Sequence, residues 1–312
     1  MGATTLSSRA IIGAFFARLE QNVGSSWLDL ISMLFDSDQA SETYNWLGQA
    51  PVMREWVGGR NAKAFRENGL TIINKTFEAT LEIAVNDIRR DKTGQIMIRI
   101  NEMADRVAAH WNKLLSELLV TGESAACYDG QFFFDTDHSE GDSGTQDNDL
   151  SVDISALPVN QNGSTTAPSP EEMEQCILRA MQAIVGFVDD VGEPMNEDAQ
   201  NFLVMVPTTL FSAAIAAVTN PILTSGKTNT LTNSSFNINV VANQRLNGTW
   251  TASFPVFRTD GTVKPFIRQE EEKLTISAQA EGAAAEFNND IHQYGVKQIG
   301  NVGFGMWQHA CL

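Results

Sequence analysis

From Thr76 to Asn86 apolar and polar residues alternate without a break. Phe77, Ala79, Leu81, Ile83 and Val85 fall on one side, and Thr76, Glu78, Thr80, Glu82 and Asn86 on the other. This period of two is that of a strand with one covered face. Arg89-Arg90-Asp91-Lys92-Thr93-Gly94 then reads as a solvated turn. Beyond it Ile100, Met103, Val107, Trp111, Leu114 and Leu118 recur three or four apart, with Ala104, Ala108, Leu115 and Leu119 widening the stripe and Gly122 as a stop. The spacing predicts one helix over 95–121 of roughly 25 residues, about 37 Å long. A long two-sided strand needs cover, and a chain built around one finds that cover outside its own domain.

Charge narrows the partners. The chain of 312 residues carries a formal net charge of −17, which argues against a nucleic-acid-binding module and an acidic membrane surface. The charge is uneven: seventeen acids and one base, Arg179, lie between Glu123 and Gln200, whereas nine bases and six acids lie between Arg54 and Arg99. A basic arm and an acidic body on one chain can be complementary between copies; two solvated faces are the plainer reading. Cys127, Cys176 and Cys311 are odd in number and far apart, which points to a reduced compartment and no disulfide. No apolar run reaches about 18 residues, so no membrane-spanning helix is expected.

In chain order, residues 1–50 read as an N-terminal arm with helices over Ser8–Val23 and Ser26–Phe35 and a polar break at Asp36–Glu42. Residues 51–92 read as a hairpin excursion: a strand at Val52–Val57, a tip from Gly58 to Gly69, and a return strand over Leu70–Ile88. Asp135–Asp149 is expected to be an exposed loop. Ser169-Pro170-Glu171-Glu172 opens a helix, with a serine cap, a proline in the first turn and acids at the positive end. A buried strand at Phe202–Val206 precedes a helix through Leu210–Val218. Thr224–Ser235 is a loop. Phe236–Val241, Trp250–Phe257, Pro265–Gln269 and His292–Met306 read as strands, the last with interleaved glycines.

Chemical motifs are sparse. Asp135, Asp137, His138, Glu140 and Asp142 form the one dense cluster of hard ligands, but the spacing fails the EF-hand pattern. Ser225-Gly226-Lys227-Thr228 resembles the end of a phosphate loop, yet residue 221 is Pro221 rather than the required glycine. Gly300, Gly303 and Gly305 stand in the wrong order for a dinucleotide fold. No spacing nominates a catalytic triad.

Several stretches together resemble a known family. They are Tyr44-Asn-Trp-Leu-Gly48, Met53-Arg-Glu-Trp-Val-Gly58, Asn74-Lys-Thr-Phe-Glu-Ala-Thr80, Asp87-Ile-Arg-Arg-Asp91, Tyr128-Asp-Gly130, Phe133-Phe-Asp-Thr-Asp-His138, and Tyr294 through His309. In order and spacing they are similar to the major head subunit of Mu-like phages and prophages, the gpT family. The resemblance implies an α+β chain with the Hong Kong 97-type phage capsid fold. Its parts would be an N-arm at 1–50, an extended E-loop hairpin at 51–92, a peripheral (P) domain at 93–154 with spine helix 95–121, an axial (A) domain at 155–275, and return strands of the P domain at 276–312. It further implies self-assembly into hexamers and pentamers of an icosahedral shell around double-stranded DNA, without sequence-specific binding. Scaffold, portal or decoration proteins would be partners, no membrane would be involved, and the shell would be built in the bacterial host cytoplasm.

On this reading the chain is not an enzyme and takes no cofactor or metal. The expected contacts with an adjacent subunit are Arg54, Trp56, Arg60, Lys63, Arg66, Arg89, Arg90 and Lys92 of the arm; the expected core of the spine helix is Ile100, Met103, Val107, Trp111, Leu114 and Leu118. Two other readings stand beside it: a metal-dependent hydrolase using Asp135, Asp137 and His138, and a ring-forming scaffold or adaptor protein.

Overall fold

The computed structural model describes residues 7–22, 27–47, 69–91, 94–157, 163–223 and 225–312. Helix α1 (Ser8–Gln21) starts at Ser7, whose side chain accepts the Ala10 N–H. A single turn, α2 (Leu28–Ile31), leads into strand β1 (Ser32–Asp36). The helix expected over Ser26–Phe35 is therefore mostly strand. Apolar residues three and four apart fit either state in so short a run, and parallel pairing of Ser32–Asp36 with Phe266–Glu270 decides it.

Strands β2 (Ser41–Tyr44) and β3 (Leu70–Ile73) form a two-stranded antiparallel ribbon. Strand β4 (Lys75–Ala84) shows the expected alternation, with its even-numbered positions from Thr76 to Glu82 exposed. It ends four residues before the expected Ile88. Helix α3 (Val85–Arg90) takes over, burying Val85 and Ile88, so the turn expected at Arg89-Arg90 is a helix end.

The spine is two helices, α4 (Gln95–Ala108) and α5 (His110–Val120), meeting at Ala109. Asp91 opens α4 by accepting the N–H groups of Gln95 and Ile96. Ile100 is 2% exposed, whereas Met103, Val107, Trp111, Leu114 and Leu118 are half-buried. The buried ridge runs instead through Ile96, Ile100 and Ala104, then Leu115 and Leu119. Each half of the spine faces a different core. Ile96, Ile100 and Ala104 pack with Ile11 and Phe15 of α1 and Ile83 of β4. Leu115 and Leu119 enter the main core.

Helix α6 (Pro170–Gly186) has a complete capping box, Ser169 and Glu172 exchanging bonds with each other's backbone. After it come β5 (Asn201–Val206), α7 (Phe211–Thr219), β6 (Asn237–Ala242), β7 (Val256–Arg258), β8 (Phe266–Gln279), α8 (Ala284–Asn289), β9 (Ile291–Phe304) and β10 (Ala310–Cys311). One sheet has the order β1-β8-β9-β4 and a second the order β10-β7-β5-β6. Two expectations were off. The strand at Trp250–Phe257 is confined to Val256–Arg258, and the strand at Pro265–Gln269 runs on to Gln279. The added length crosses Glu270-Glu271-Glu272-Lys273, whose charge hides a strand that pairing with β9 sustains on both sides of two register shifts between Glu270 and Thr275.

Candidate functional site

The β2–β3 ribbon lies across β9 at Gly303. A Cβ there would sit 2.3 Å from Ile72 Cδ1, so a larger residue would force the Ile72 side chain to shift. Below the ribbon, buried Gln269 of β8 accepts from Tyr44 Oη (2.9 Å) and donates to Asn74 Oδ1 (2.9 Å) and the Ile72 carbonyl (3.4 Å). One amide thus anchors both strands of the ribbon. Nothing local marks Gln269 in the sequence, because its partners are about 200 residues away. Arg54, Trp56, Arg60, Lys63, Arg66 and Lys92, with the strand expected at 52–57 and the tip up to residue 68, lie outside the described residues. Arg89 and Arg90 are exposed in the last turn of α3, where the helix dipole favours cations.

The acidic segment after the spine is not the exposed loop that its composition suggests. His138, Glu140, Gln146 and Asn148 are buried. Asn148 accepts the Asp135 N–H and donates to the carbonyls of Phe133 and Ala310; Gln146 bonds both backbone groups of Val188. His138 stacks on Trp307, with centroids 3.9 Å apart and planes 11° apart. Composition predicts solvation only when polar groups lack partners, and here they are stitched to the backbone.

The hydrolase constellation does not form. His138 is fully buried and its Nδ1 faces Asp129 (2.7 Å), while Asp135 accepts backbone N–H groups of Phe132 and Thr136, and Asp137 accepts from Gln131. What converges instead is Cys127, Asp129 and His138, with donor atoms within 4.8 Å of one another, the one such group among the described residues. A thiolate, a carboxylate and an imidazole are donors that a divalent zinc-like ion takes. Each is already engaged: Asp129 Oδ1 accepts the Cys127 thiol (2.9 Å) and the Gln131 N–H (3.1 Å), and Oδ2 pairs with His138. Burial alone would raise the Asp129 carboxyl, but the bonds from His138 and Cys127 prevail and hold it below its ordinary value. Burial pushes the Cys127 thiol far up, with Asp129 adding to the shift, so it is no nucleophile. The trio is a knot that ties the segment after the spine to the core.

The remaining motifs have structural partners. The Ser225 N–H, which a phosphate loop would offer its ligand, is bonded by Glu171 (2.8 Å). At Gly300 a Cβ would meet the Gln269 carbonyl at 2.4 Å. His110 is half-buried edge-on to Phe77 (4.4 Å), and burial lowers its pKa. All three cysteines are free, with burial raising Cys176 to about 11. No helix among the described residues is long and apolar enough to cross a membrane.

Comparison with known proteins gives one answer. The family model described as Mu-like prophage major head subunit gpT matches residues 9–158 and 232–312. The Mu-like prophage FluMu major head subunit of Haemophilus influenzae is 40% identical over 111 residues, 36% of either chain. The major capsid protein of Escherichia phage Mu is 40% identical over 108 residues, 35% of either chain. The chain thus spans about a third of the length of these curated relatives. Among solved structures, the bacteriophage JBD30 capsid aligns over 72% of this chain and 92% of its own at a TM-score of 0.56 and 26% identity. Its procapsid aligns over 97% and 73% at 0.52 and 24%. The fold is α+β and of the phage capsid, Hong Kong 97 type.

Proposed function

This chain belongs to the family of the Mu-like prophage major head subunit gpT, and from that premise we propose that it is the major capsid protein of a phage or prophage head. Copies of it would close into an icosahedral shell of hexamers and pentamers around double-stranded DNA. The family match carries this reading, because its two segments include strands of both sheets on a chain with a capsid fold. The part is structural and its work is self-assembly, not catalysis.

Residues 1–50 serve as the N-arm and 51–92 as the E-loop. The P domain combines 93–154 with the last strands. Since β8 pairs along β9, its start at Phe266 is a better domain boundary than residue 275, leaving 155–265 as the A domain. The arm lies on an adjacent subunit and draws cover from it. Arg54, Arg60, Lys63 and Arg66 face acidic surface there, with Trp56 supplying apolar contact and Arg89, Arg90 and Lys92 acting at the root. An exposed pair contributes only about 0–1 kcal/mol, but repetition at every interface sets register and rejects wrong ones. The acidic balance suits a shell that confines DNA without gripping it. Assembly takes place in the bacterial cytoplasm, with scaffold, portal or decoration proteins as further partners.

Electron microscopy and light scattering of the purified protein test this. Closed shells, tubes or capsomers are expected; a stable monomer at high concentration overturns the reading. The arm has its own test in an Arg60→Glu, Lys63→Glu, Arg66→Glu variant. Its assembly should stall at low salt and partly recover as the Debye length shrinks from about 10 Å at 0.1 M to about 3 Å at 1 M. Wild-type rates across that range would show that charge does not dock the arm.

A further inference from the structure

On the capsid reading, we propose that Phe287 is a knob that inserts into the groove between α4 and the β4–β9 face of another copy of this chain. Phe287 is 90% exposed, on the short helix α8 that joins β8 to β9. A bare aromatic ring of this kind is a large apolar surface without cover, and interface hot spots are rich in aromatic anchors.

The groove is on the same chain. It holds about 470 Å³ and is open to solvent. Phe77, Ala79 and Leu81 of β4, Met103 and Val107 of α4, and Val296 of β9 give it an apolar floor. These are the inward positions of the long strand, yet Phe77, Ala79 and Leu81 are only half-buried, as are Met103 and Val107. Among the described residues, the cover predicted by the alternation is incomplete within one chain. Phe287 cannot supply it in its own chain, being almost fully exposed. From the Ala79–Val296 pair at the groove to the Ala84–Ile291 pair at the hairpin end is five residues, about 17 Å.

Charge selects the occupant. Arg99, Arg106, Lys113 and Lys297 line the groove against Glu78 and Glu102. Arg106 is paired with Glu102 (2.9 Å), Lys113 with Glu117 (3.8 Å) and Lys297 with Glu272 (2.7 Å), but Arg99 has no ion-pair partner among the described residues. The segment 279–290 around Phe287 contains Glu281, Glu286 and Asp290 and no lysine or arginine. Glu281 and Asp290 bond neutral partners, Ser8 and Asn86, and Glu286 accepts the Gly282 N–H (2.6 Å) with His292 at 3.6 Å, so none of the three is paired with a lysine or arginine among the described residues. An acidic tip with an aromatic end thus meets a basic rim around an apolar floor. Knob and groove are different patches, so each copy can give one contact and receive another, and the contact extends from copy to copy.

Two measurements test the pairing. Because Phe287 touches little of its own chain, Phe287→Asp should leave the melting temperature of the dissociated subunit unchanged. It should raise the concentration at which half the chains enter particles at least tenfold, about 1.4 kcal/mol, and Phe287→Leu should restore most of the loss. Separately, particles assembled from a mixture of Phe287→Cys and Met103→Cys chains should yield an oxidised dimer. Neither variant alone nor wild type should give that band. Wild-type particles with Phe287→Asp assembling normally and no cross-link overturn the pairing and leave the capsid reading intact. Impaired Phe287→Asp assembly without the cross-link overturns the groove as the binding surface. A wild type that never forms particles overturns both.

Discussion

Replacing Gly303 by alanine probes the crossing of the β2–β3 ribbon over β9 most directly. The added methyl would sit 2.3 Å from Ile72 Cδ1 and 2.6 Å from its Cγ1, whereas carbon atoms rest at about 3.5–4.0 Å. The Ile72 side chain therefore has to retreat by about 1 Å. Ile72 is buried, and its carbonyl is bonded by Gln269, so the retreat is resisted. Overpacking of this size costs about 1–3 kcal/mol. Gly303 has no left-handed backbone angle, so alanine also restricts the unfolded chain, offsetting about 0.4–1 kcal/mol. The net expectation is a loss of about 1–2 kcal/mol. Ile72→Ala alone should lose about 2–5 kcal/mol, because it leaves a cavity. In the double variant the methyl occupies that space, so the two losses should overlap by at least 1 kcal/mol. Urea unfolding of the dissociated subunit gives each value from the shift in midpoint at constant slope. A Gly303→Ala protein within 0.5 kcal/mol of wild type, or losses additive to within 0.5 kcal/mol, would refute the crossing as the reason for glycine.

The knot after the spine should respond to Asp129→Ala with a loss of about 3 kcal/mol or more in the same assay, since the Cys127 thiol, His138 Nδ1 and the Gln131 N–H lose their acceptor together. The Asp129 carboxyl lies below its ordinary value in the fold, so its stabilisation is present above the unfolded value and fades as pH falls through the folded one. Burial, with Arg258 next, lowers His309 from 6.5 to about 4. The unfolded chain then binds the extra proton first, so stability on the order of 3 kcal/mol should disappear as pH falls from about 6.5 to 4. His309→Gln should flatten that part of the stability–pH curve. Phe15, buried between α1 and α4, holds the N-terminal helix on its own chain. Phe15→Ala should release α1 before the body unfolds, read as faster tryptic cleavage at Arg18 at unchanged melting temperature of the main core.

What the chain spells out locally is what it forms locally. The alternation of Thr76–Ala84 is a strand, and Ser169-Pro170 with Glu172 starts a helix, because neighbours along the chain complete those bonds. The long-range features were not legible in this way. Ser32–Asp36 has helical spacing but pairs with a strand more than 230 residues later. The charged run from Glu270 is a strand because β9 pairs with it at Glu270 and Glu272 and again from Thr275 onward. His138 and Asn148 have loop composition, yet Asp129, Trp307 and Ala310 take them inside. Gln269 anchors the β2–β3 ribbon through Tyr44 and Asn74, which come to it only in three dimensions. Periodicity reports which side of an element is apolar. It cannot report which distant element covers that side, and along the middle of β4 no part of the chain's own described structure covers it fully, since Phe77, Ala79 and Leu81 line an open groove.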